Sequence, residues 1–189
     1  MSLKKISRAI EALNNKDIKQ AAAIFDSVGG KLSQPQHLHA CAVAYLQSGR
    51  PVEAQKMLRK LLAKVQPTPQ VLSLSGDINK SKGDLASAIV DYQKACKLSP
   101  NSPELYYNLA LVLFENKELS KTREVLNKAL LIRPAYTKAS VLMGRCLAAM
   151  DLCNEAEETF QKAIEAEPNN FLPHYRLGRL YVYKGKSKE

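Results

Sequence analysis

The sequence predicts an all-α fold, an array of antiparallel helix pairs, and three observations support this prediction. Prolines recur at intervals of 33 or 34 residues, at Pro67, Pro100, Pro134 and Pro168. Small residues recur every 34 residues at Gly76, Ala110, Gly144 and Gly178, with Ala42 one step earlier. Between these markers the apolar residues follow helical spacing, and no segment shows the strict alternation typical of strands. Such a repeat predicts two-helix units that stack on their neighbours.

The boundaries of the predicted helices follow from prolines and glycines. Proline has no amide donor and clashes with the preceding turn, so "DYQKACKLSP", "VLNKALLIRP" and "TFQKAIEAEP" each end a second helix. The breaks "KSKGD" and "YKGKS" contain a glycine that relieves backbone strain where antiparallel helices turn. The predicted helix pairs cover 1–33, 34–68, 69–102, 103–136 and 137–170, and a single first helix covers 171–184.

Two of these units have distinctive beginnings. The first unit is degenerate, because Ala21 and Phe25 keep the register while "GGKLSQPQ" gives a looser connection than the other units have. The fourth unit begins at "SPNSPELYY", where Ser102 is predicted to cap the helix and Pro103 to occupy its first turn. Glu104 then lies near the positive end of the helix dipole.

The repeated phrase resembles the tetratricopeptide repeat, whose pattern is W-x2-L-G-x2-Y, then A-x3-F, then P. The sequence meets this pattern most closely in "LGRLY" and in "AEETFQKAIEAEP". Thr122 replaces an expected alanine and Asn79 an expected aromatic residue, yet the resemblance covers almost the whole chain. It implies a right-handed α-solenoid, a superhelix whose first helices line a concave groove.

The resemblance also implies which residues line the groove. They are His39, Asp77, Tyr107, Asn108, Lys138, Arg145, Tyr175, Arg176 and Arg179. The carboxy-terminal half of this set is basic with interleaved tyrosine, and arginine forks suit carboxylates. We therefore expect a non-catalytic scaffold that binds an extended, acidic peptide or partner segment. The alternative is that these side chains are solvated and hold no dedicated ligand.

Some proteins of the family clamp the carboxy-terminus of a chaperone, and this sequence departs from their pattern. Asn108 and Lys138 match the clamp, which uses two lysines, two asparagines and an arginine. Ser73 and Asp77 stand where a lysine and an asparagine are needed, and Leu142 stands where the arginine is needed. We therefore expect that the clamp is absent.

The chain carries a formal charge of +10, concentrated towards its amino end. Lys56, Lys60 and Lys64 are four residues apart and form one stripe on a second helix. Such a stripe attracts RNA, anionic lipid or acidic protein through general electrostatics. No aromatic residue interleaves with it and no nucleic-acid motif is present, so a solvated face is favoured over nucleic-acid binding.

The sequence gives little sign of catalysis, cofactor binding or membrane insertion. It contains no phosphate-binding glycine loop, nucleophile elbow or H-E-x-x-H motif. His37 and Cys41 share one helix face, but two ligands alone do not make a metal site. We expect no enzyme activity, no cofactor and no metal. Without a membrane span or a secretory signal, the predicted location is cytoplasmic.

The final stretch "LPHYRLGRLYVYKG" has the pattern of a first helix, and "KSKE" would begin the second helix that covers it. We therefore expect the chain to be the amino-terminal part of a longer protein. In that case it is a substrate-recruiting module of a larger enzyme, such as a sulfotransferase or glycosyltransferase. A homodimer through the last helix remains a further alternative.

Overall fold

A computed structural model of the protein describes residues 2–28 and 32–185, and within these residues every regular element is an α-helix. The all-α prediction is therefore confirmed. The last four residues, 186–189, where "KSKE" was predicted to begin a helix, lie outside the described residues. The helices are α1 (Ser2–Asn14), α2 (Ile18–Val28), α3 (Pro35–Gln47), α4 (Pro51–Leu62), α5 (Pro69–Ser81), α6 (Leu85–Leu98), α7 (Pro103–Glu115), α8 (Leu119–Ile132), α9 (Thr137–Ala149), α10 (Cys153–Ala166) and α11 (Phe171–Tyr183).

The helices form two compact units, which we describe separately. Unit 1 (Met1–Leu98) contains α1 to α6, and unit 2 (Ser99–Glu189) contains α7 to α11. In each unit, consecutive helices pack as antiparallel pairs, and apolar residues from both helices of a pair fill a continuous core. Alanines at the contacts, such as Ala54, Ala88 and Ala156, are fully buried and let the helix axes approach closely.

Helix starts agree with the sequence except at α7. Thr68 caps α5 by accepting a hydrogen bond from the Val71 amide at 3.3 Å, and Asn170 caps α11 through the Leu172 amide at 3.1 Å. Ser102 precedes α7 as predicted, but its side chain accepts no capping hydrogen bond. The prediction was wrong here, because the Ser102 hydroxyl instead donates to the Glu104 carboxylate at 3.1 Å.

The turns between paired helices need one residue with positive φ. Gly83 and Gly185 adopt φ values of 81° and 72°, which confirms the predicted role of glycine at these breaks. Lys117 and Asp151 adopt nearly the same conformation, with φ values of 62° and 63°, in the corresponding turns of unit 2. The turn geometry is therefore common to the repeats even where glycine is missing, at some cost in backbone strain.

The repeated small residue makes room for a large side chain from the second helix of its own pair. A Cβ atom built on Gly76 would lie 2.8 Å from the Tyr92 ring, and one built on Gly144 would lie 2.5 Å from the Phe160 ring. Real Cβ contacts are not this short, so only glycine permits these approaches. A Cβ atom on Gly178 would meet nothing within 4 Å. The two interlocked glycines are therefore structural, whereas Gly178 has open space beside it.

Candidate functional site

Two of the predicted site residues lie in unit 1, and one of them is already engaged there. Asp77 on α5 accepts a hydrogen bond of 2.6 Å from the Tyr92 hydroxyl on α6, within the same helix pair. His39 on α3 is half-buried, and this burial lowers the pKa of its imidazole. His39 is therefore neutral at physiological pH and adds no positive charge to a binding surface.

The burial of His39 predicts how the stability of unit 1 depends on pH. The unfolded chain binds a proton at His39 below about pH 6.5, whereas the folded chain resists protonation until a lower pH. We therefore expect the free energy of unfolding to fall as the pH decreases from about 7.5 to about 5.5. Urea denaturation of the wild type and of His39→Gln checks this, because the variant should show a flatter pH profile. Parallel profiles would contradict this account of His39.

The other seven predicted residues lie in unit 2, at different distances from one another. Tyr107 on α7 stacks at 5.5 Å on Tyr136, whose ring also lies 5.1 Å from the Arg133 guanidinium. Arg133 forms an ion pair of 2.6 Å with Glu104, so its charge is compensated. Asn108 is half-buried beside Tyr107, and Lys138 is exposed at the start of α9. This edge of the unit is aromatic and nearly neutral.

Three predicted residues, Arg145, Arg176 and Arg179, converge on one pocket of about 310 Å³. The remaining wall comes from side chains of α7, α9, α10 and α11: Phe114, Ala148, Phe160, Leu180 and Tyr183. We call this the arginine pocket. The sequence reasoning named its three cations but missed its apolar wall. A signal was available for two of the missed residues, since Phe114 and Ala148 occupy the same repeat position 34 residues apart.

The positive charge of the arginine pocket is not compensated within the part of the chain that the structure describes. None of its three guanidinium groups forms an ion pair with a described carboxylate. Arg145 lies 4.7 Å over the Phe114 ring. Burial lowers the pKa of Arg145, and the nearby charges of Arg176 and Arg179 lower it further. Three cations held together without a counter-charge favour binding of an anion.

Arg176 adds a second sign of an absent acceptor. Its Nε atom is buried and has no hydrogen-bond partner among the described residues. A buried donor without an acceptor costs free energy, and more so when the group is charged. The Arg176 guanidinium also lies 5.5 Å from the Tyr175 ring, which stacks on Phe171 at 5.6 Å. Tyr175 therefore forms part of an exposed aromatic surface that Arg176 joins to the pocket.

Few contacts hold α11, which supplies most of the pocket, against the rest of unit 2. Leu180 is 4% exposed and belongs to the core that α9 and α10 help to form. The Glu157 carboxylate on α10 accepts hydrogen bonds from the Tyr181 hydroxyl at 2.8 Å and from Lys184 Nζ at 2.7 Å. The geometry of the pocket depends on these contacts.

The described residues contain no group of three or more His, Cys, Asp or Glu side chains that could hold a metal ion. Burial raises the pKa of the Cys41 thiol to about 12, so it is protonated at neutral pH and poorly suited to bind metal or act as a nucleophile. None of the helices in the described ranges is both long and apolar enough to cross a membrane.

Family models of the tetratricopeptide repeat match nearly the whole chain. One model described as "Tetratricopeptide repeat" matches 5–78, and a second matches 103–136 and 137–170. A third with the same description matches 159–189, and one described as "TPR repeat" matches 76–117. The matched residues include all eleven helices except their first residues at the amino end.

The chain is similar to parts of several curated proteins. It is 31% identical over 99 residues to small glutamine-rich tetratricopeptide repeat-containing protein 2 of Mycosarcoma maydis, covering 52% of this chain and 28% of that protein. It is 31% identical over 101 residues to human RNA polymerase II-associated protein 3, covering 53% and 15%. It is 29% identical over 89 residues to the mouse protein O-mannosyl-transferase TMTC3, covering 47% and 10%. The chain thus spans less than a third of each relative.

Solved structures show the same fold. PilF of Pseudomonas aeruginosa superposes with a TM-score of 0.76 at 19% identity, covering 98% of this chain and 85% of that one. The first repeat domain of Spaghetti (RPAP3), solved with the HSP90 peptide SRMEEVD, superposes with a TM-score of 0.58 at 27% identity, covering 62% and 94%. These matches confirm that the chain has the α-solenoid fold class.

Proposed function

Because the chain belongs to the tetratricopeptide repeat family, we propose that it is a protein-interaction scaffold without catalytic activity. Its ligand is an extended, acidic segment of a partner protein, and unit 2 holds that segment. The observation that carries this proposal is the arginine pocket, where three guanidinium groups face one cavity without a described counter-charge. Arginine binds carboxylates with two parallel hydrogen bonds, so acidic side chains satisfy this site.

A relative supports the acidic character of the ligand, although the residues that bind it differ. The peptide SRMEEVD, which is bound to the first repeat domain of Spaghetti (RPAP3), contains two glutamates and one aspartate. In this chain Leu142, which replaces the clamp arginine, is 2% exposed, and Asp77 is bonded to Tyr92. An acidic segment therefore binds here through Arg145, Arg176 and Arg179 instead of through the chaperone clamp.

Selection from a random library of linear peptides tests the proposal. The wild type is expected to enrich acidic peptides, and the triple variant Arg145→Gln, Arg176→Gln, Arg179→Gln is expected to bind them at least about tenfold more weakly, because each charged hydrogen bond contributes about 1.5–3 kcal/mol. The matched control is Lys56→Gln, Lys60→Gln, Lys64→Gln, which removes the same charge from exposed positions of unit 1. Equal weakening by both variants would mean that net charge alone drives binding, and the proposal would fail.

A second candidate function is that the chain recruits substrates for a larger enzyme. It is favoured by the similarity to protein O-mannosyl-transferase TMTC3, of which the chain spans 10%. The coding region after the codon for Glu189 tests this candidate. A transferase domain encoded in the same reading frame would support it, and a stop codon there would remove it while leaving the scaffold proposal standing.

A further inference from the structure

The charge of the arginine pocket exceeds what one carboxylate compensates. An aspartate or glutamate side chain brings one negative charge and two oxygen atoms to a site with three guanidinium groups. A phosphoryl group brings between one and two negative charges at neutral pH and three terminal oxygens. Each oxygen can therefore accept from a different arginine, and clusters of arginine are a recurrent means of recognising phosphorylated side chains.

The buried Nε atom of Arg176 indicates that the anion penetrates below the pocket rim. This donor has no acceptor in the described chain, whereas Arg179 is exposed and can meet an anion from the surface. An acceptor that satisfies Arg176 Nε must therefore enter on a side chain long enough to pass the exposed guanidinium. Short acidic side chains reach less deeply than a phosphorylated aromatic one does.

The other walls of the pocket are apolar and mostly aromatic. Phe114 on α7 and Tyr183 on α11 contribute rings, and Phe160 and Leu180 are buried side chains of the unit 2 core. A bare phosphate or a short carboxylate leaves these surfaces in contact with water. An aromatic ring attached to the anion covers them, and ring pairs add about 0.5–1.5 kcal/mol beyond the area they bury. The volume of about 310 Å³ lies within the usual size range of small-ligand sites.

We propose that the arginine pocket is a binding site for a phosphotyrosine side chain of the partner segment. Its phosphoryl oxygens accept from Arg145, Arg176 and Arg179, and its ring packs against Phe114 and Tyr183. This inference rests on the proposed function, since the phosphotyrosine belongs to the acidic segment that unit 2 holds. It makes binding of that segment depend on a tyrosine kinase acting on the partner.

Titration of the 15N-labelled protein with phenyl phosphate, phenylacetate and inorganic phosphate tests the proposal. The arginine Nε–Hε signals, assigned by single substitutions, report contact with the anion. Phenyl phosphate is expected to shift the signals of Arg145, Arg176 and Arg179 and to bind at least about tenfold more tightly than either comparison compound. Phenylacetate keeps the ring with one charge, and inorganic phosphate keeps the phosphoryl group without the ring.

Two single variants sharpen the test. Arg176→Lys keeps the charge but loses the buried Nε donor, so we expect about a tenfold loss of phenyl phosphate affinity. Arg59→Lys, at an exposed position of α4, is the control and should leave the affinity unchanged. Equal losses in both variants would overturn the assignment of Arg176.

The other outcomes separate this inference from the proposed function. Equal affinity for phenylacetate would identify a carboxylate site, which overturns the phosphotyrosine inference and keeps the acidic-peptide scaffold. Equal affinity for inorganic phosphate would show that the ring contributes nothing, and the inference would fail in favour of a free phosphate or a lipid headgroup. If phenyl phosphate leaves the three signals unshifted while selected acidic peptides bind, the inference alone fails; if neither binds, both proposals fail.

Discussion

Gly144→Ala is expected to lower the free energy of unfolding of unit 2 by about 1–3 kcal/mol, although alanine normally stabilises a helix. The added methyl group would lie 2.5 Å from the Phe160 ring, and Phe160 is 2% exposed in the core that α9 and α10 share. The ring cannot retreat without disturbing its neighbours, so the overlap outweighs the gain in helix propensity. Chemical denaturation followed by circular dichroism measures the change.

Gly178→Ala is the matched control, since the same change at the same repeat position meets nothing within 4 Å. We expect it to be neutral or to stabilise by up to about 1 kcal/mol, the ordinary difference between alanine and glycine in a helix. Equal destabilisation by both substitutions would show that backbone effects, and not the contact with Phe160, decide the result.

The chain itself suggests how Gly144→Ala can be rescued. Two of its helix pairs have alanine where Gly144 stands and leucine where Phe160 stands, and these residues are buried: Ala42 with Leu58, and Ala110 with Leu126. Adding Phe160→Leu to Gly144→Ala is therefore expected to recover about 1 kcal/mol relative to the sum of the single changes. Additive effects would contradict the inferred interlock.

Leu180→Ala is expected to destabilise the docking of α11 by about 2–5 kcal/mol. Pro173 and Leu180 are the buried residues of this helix, so little apolar contact remains once Leu180 is truncated. Because α11 supplies Arg176, Arg179 and Tyr183, its release also dismantles the arginine pocket. Hydrogen exchange should show faster exchange of the α11 amides, with smaller changes in α7 and α8.

The control for this prediction is Val182→Ala in the same helix. Val182 is 63% exposed, so its truncation removes little buried surface and should change exchange in α11 only slightly. Comparable effects of the two substitutions would mean that contacts other than Leu180 hold the helix against α9 and α10.

The repeat made most of the fold predictable, because a 34-residue period fixes which side chains face a neighbouring helix. Gly144 and Phe160, for example, were assigned to the helix contact before any coordinates were considered. The cap at Ser102 was wrong because residue type specifies a preference, whereas the nearby Glu104 carboxylate competes for the hydroxyl. Local competition of this kind is not encoded in a periodic pattern.

The candidate site was predictable only in part, for a related reason. Repeat register places Arg145 and Arg179 at equivalent positions of α9 and α11, so their alignment follows from the sequence. It does not reveal that Arg176 joins them with a buried Nε atom, or that Phe114 closes the pocket. These features depend on side-chain rotamers and on packing between helices, which register leaves open. Asp77 likewise matched a groove position but is bonded to Tyr92.

The central claim is that an acidic segment binds at the arginine pocket of unit 2, and nuclear magnetic resonance mapping of a bound acidic peptide tests it most directly. The account predicts that the largest shift changes fall on Arg145, Arg176, Arg179 and Tyr183, and that they disappear in the triple arginine variant. Shift changes confined to unit 1, such as the lysine stripe on α4, would contradict it.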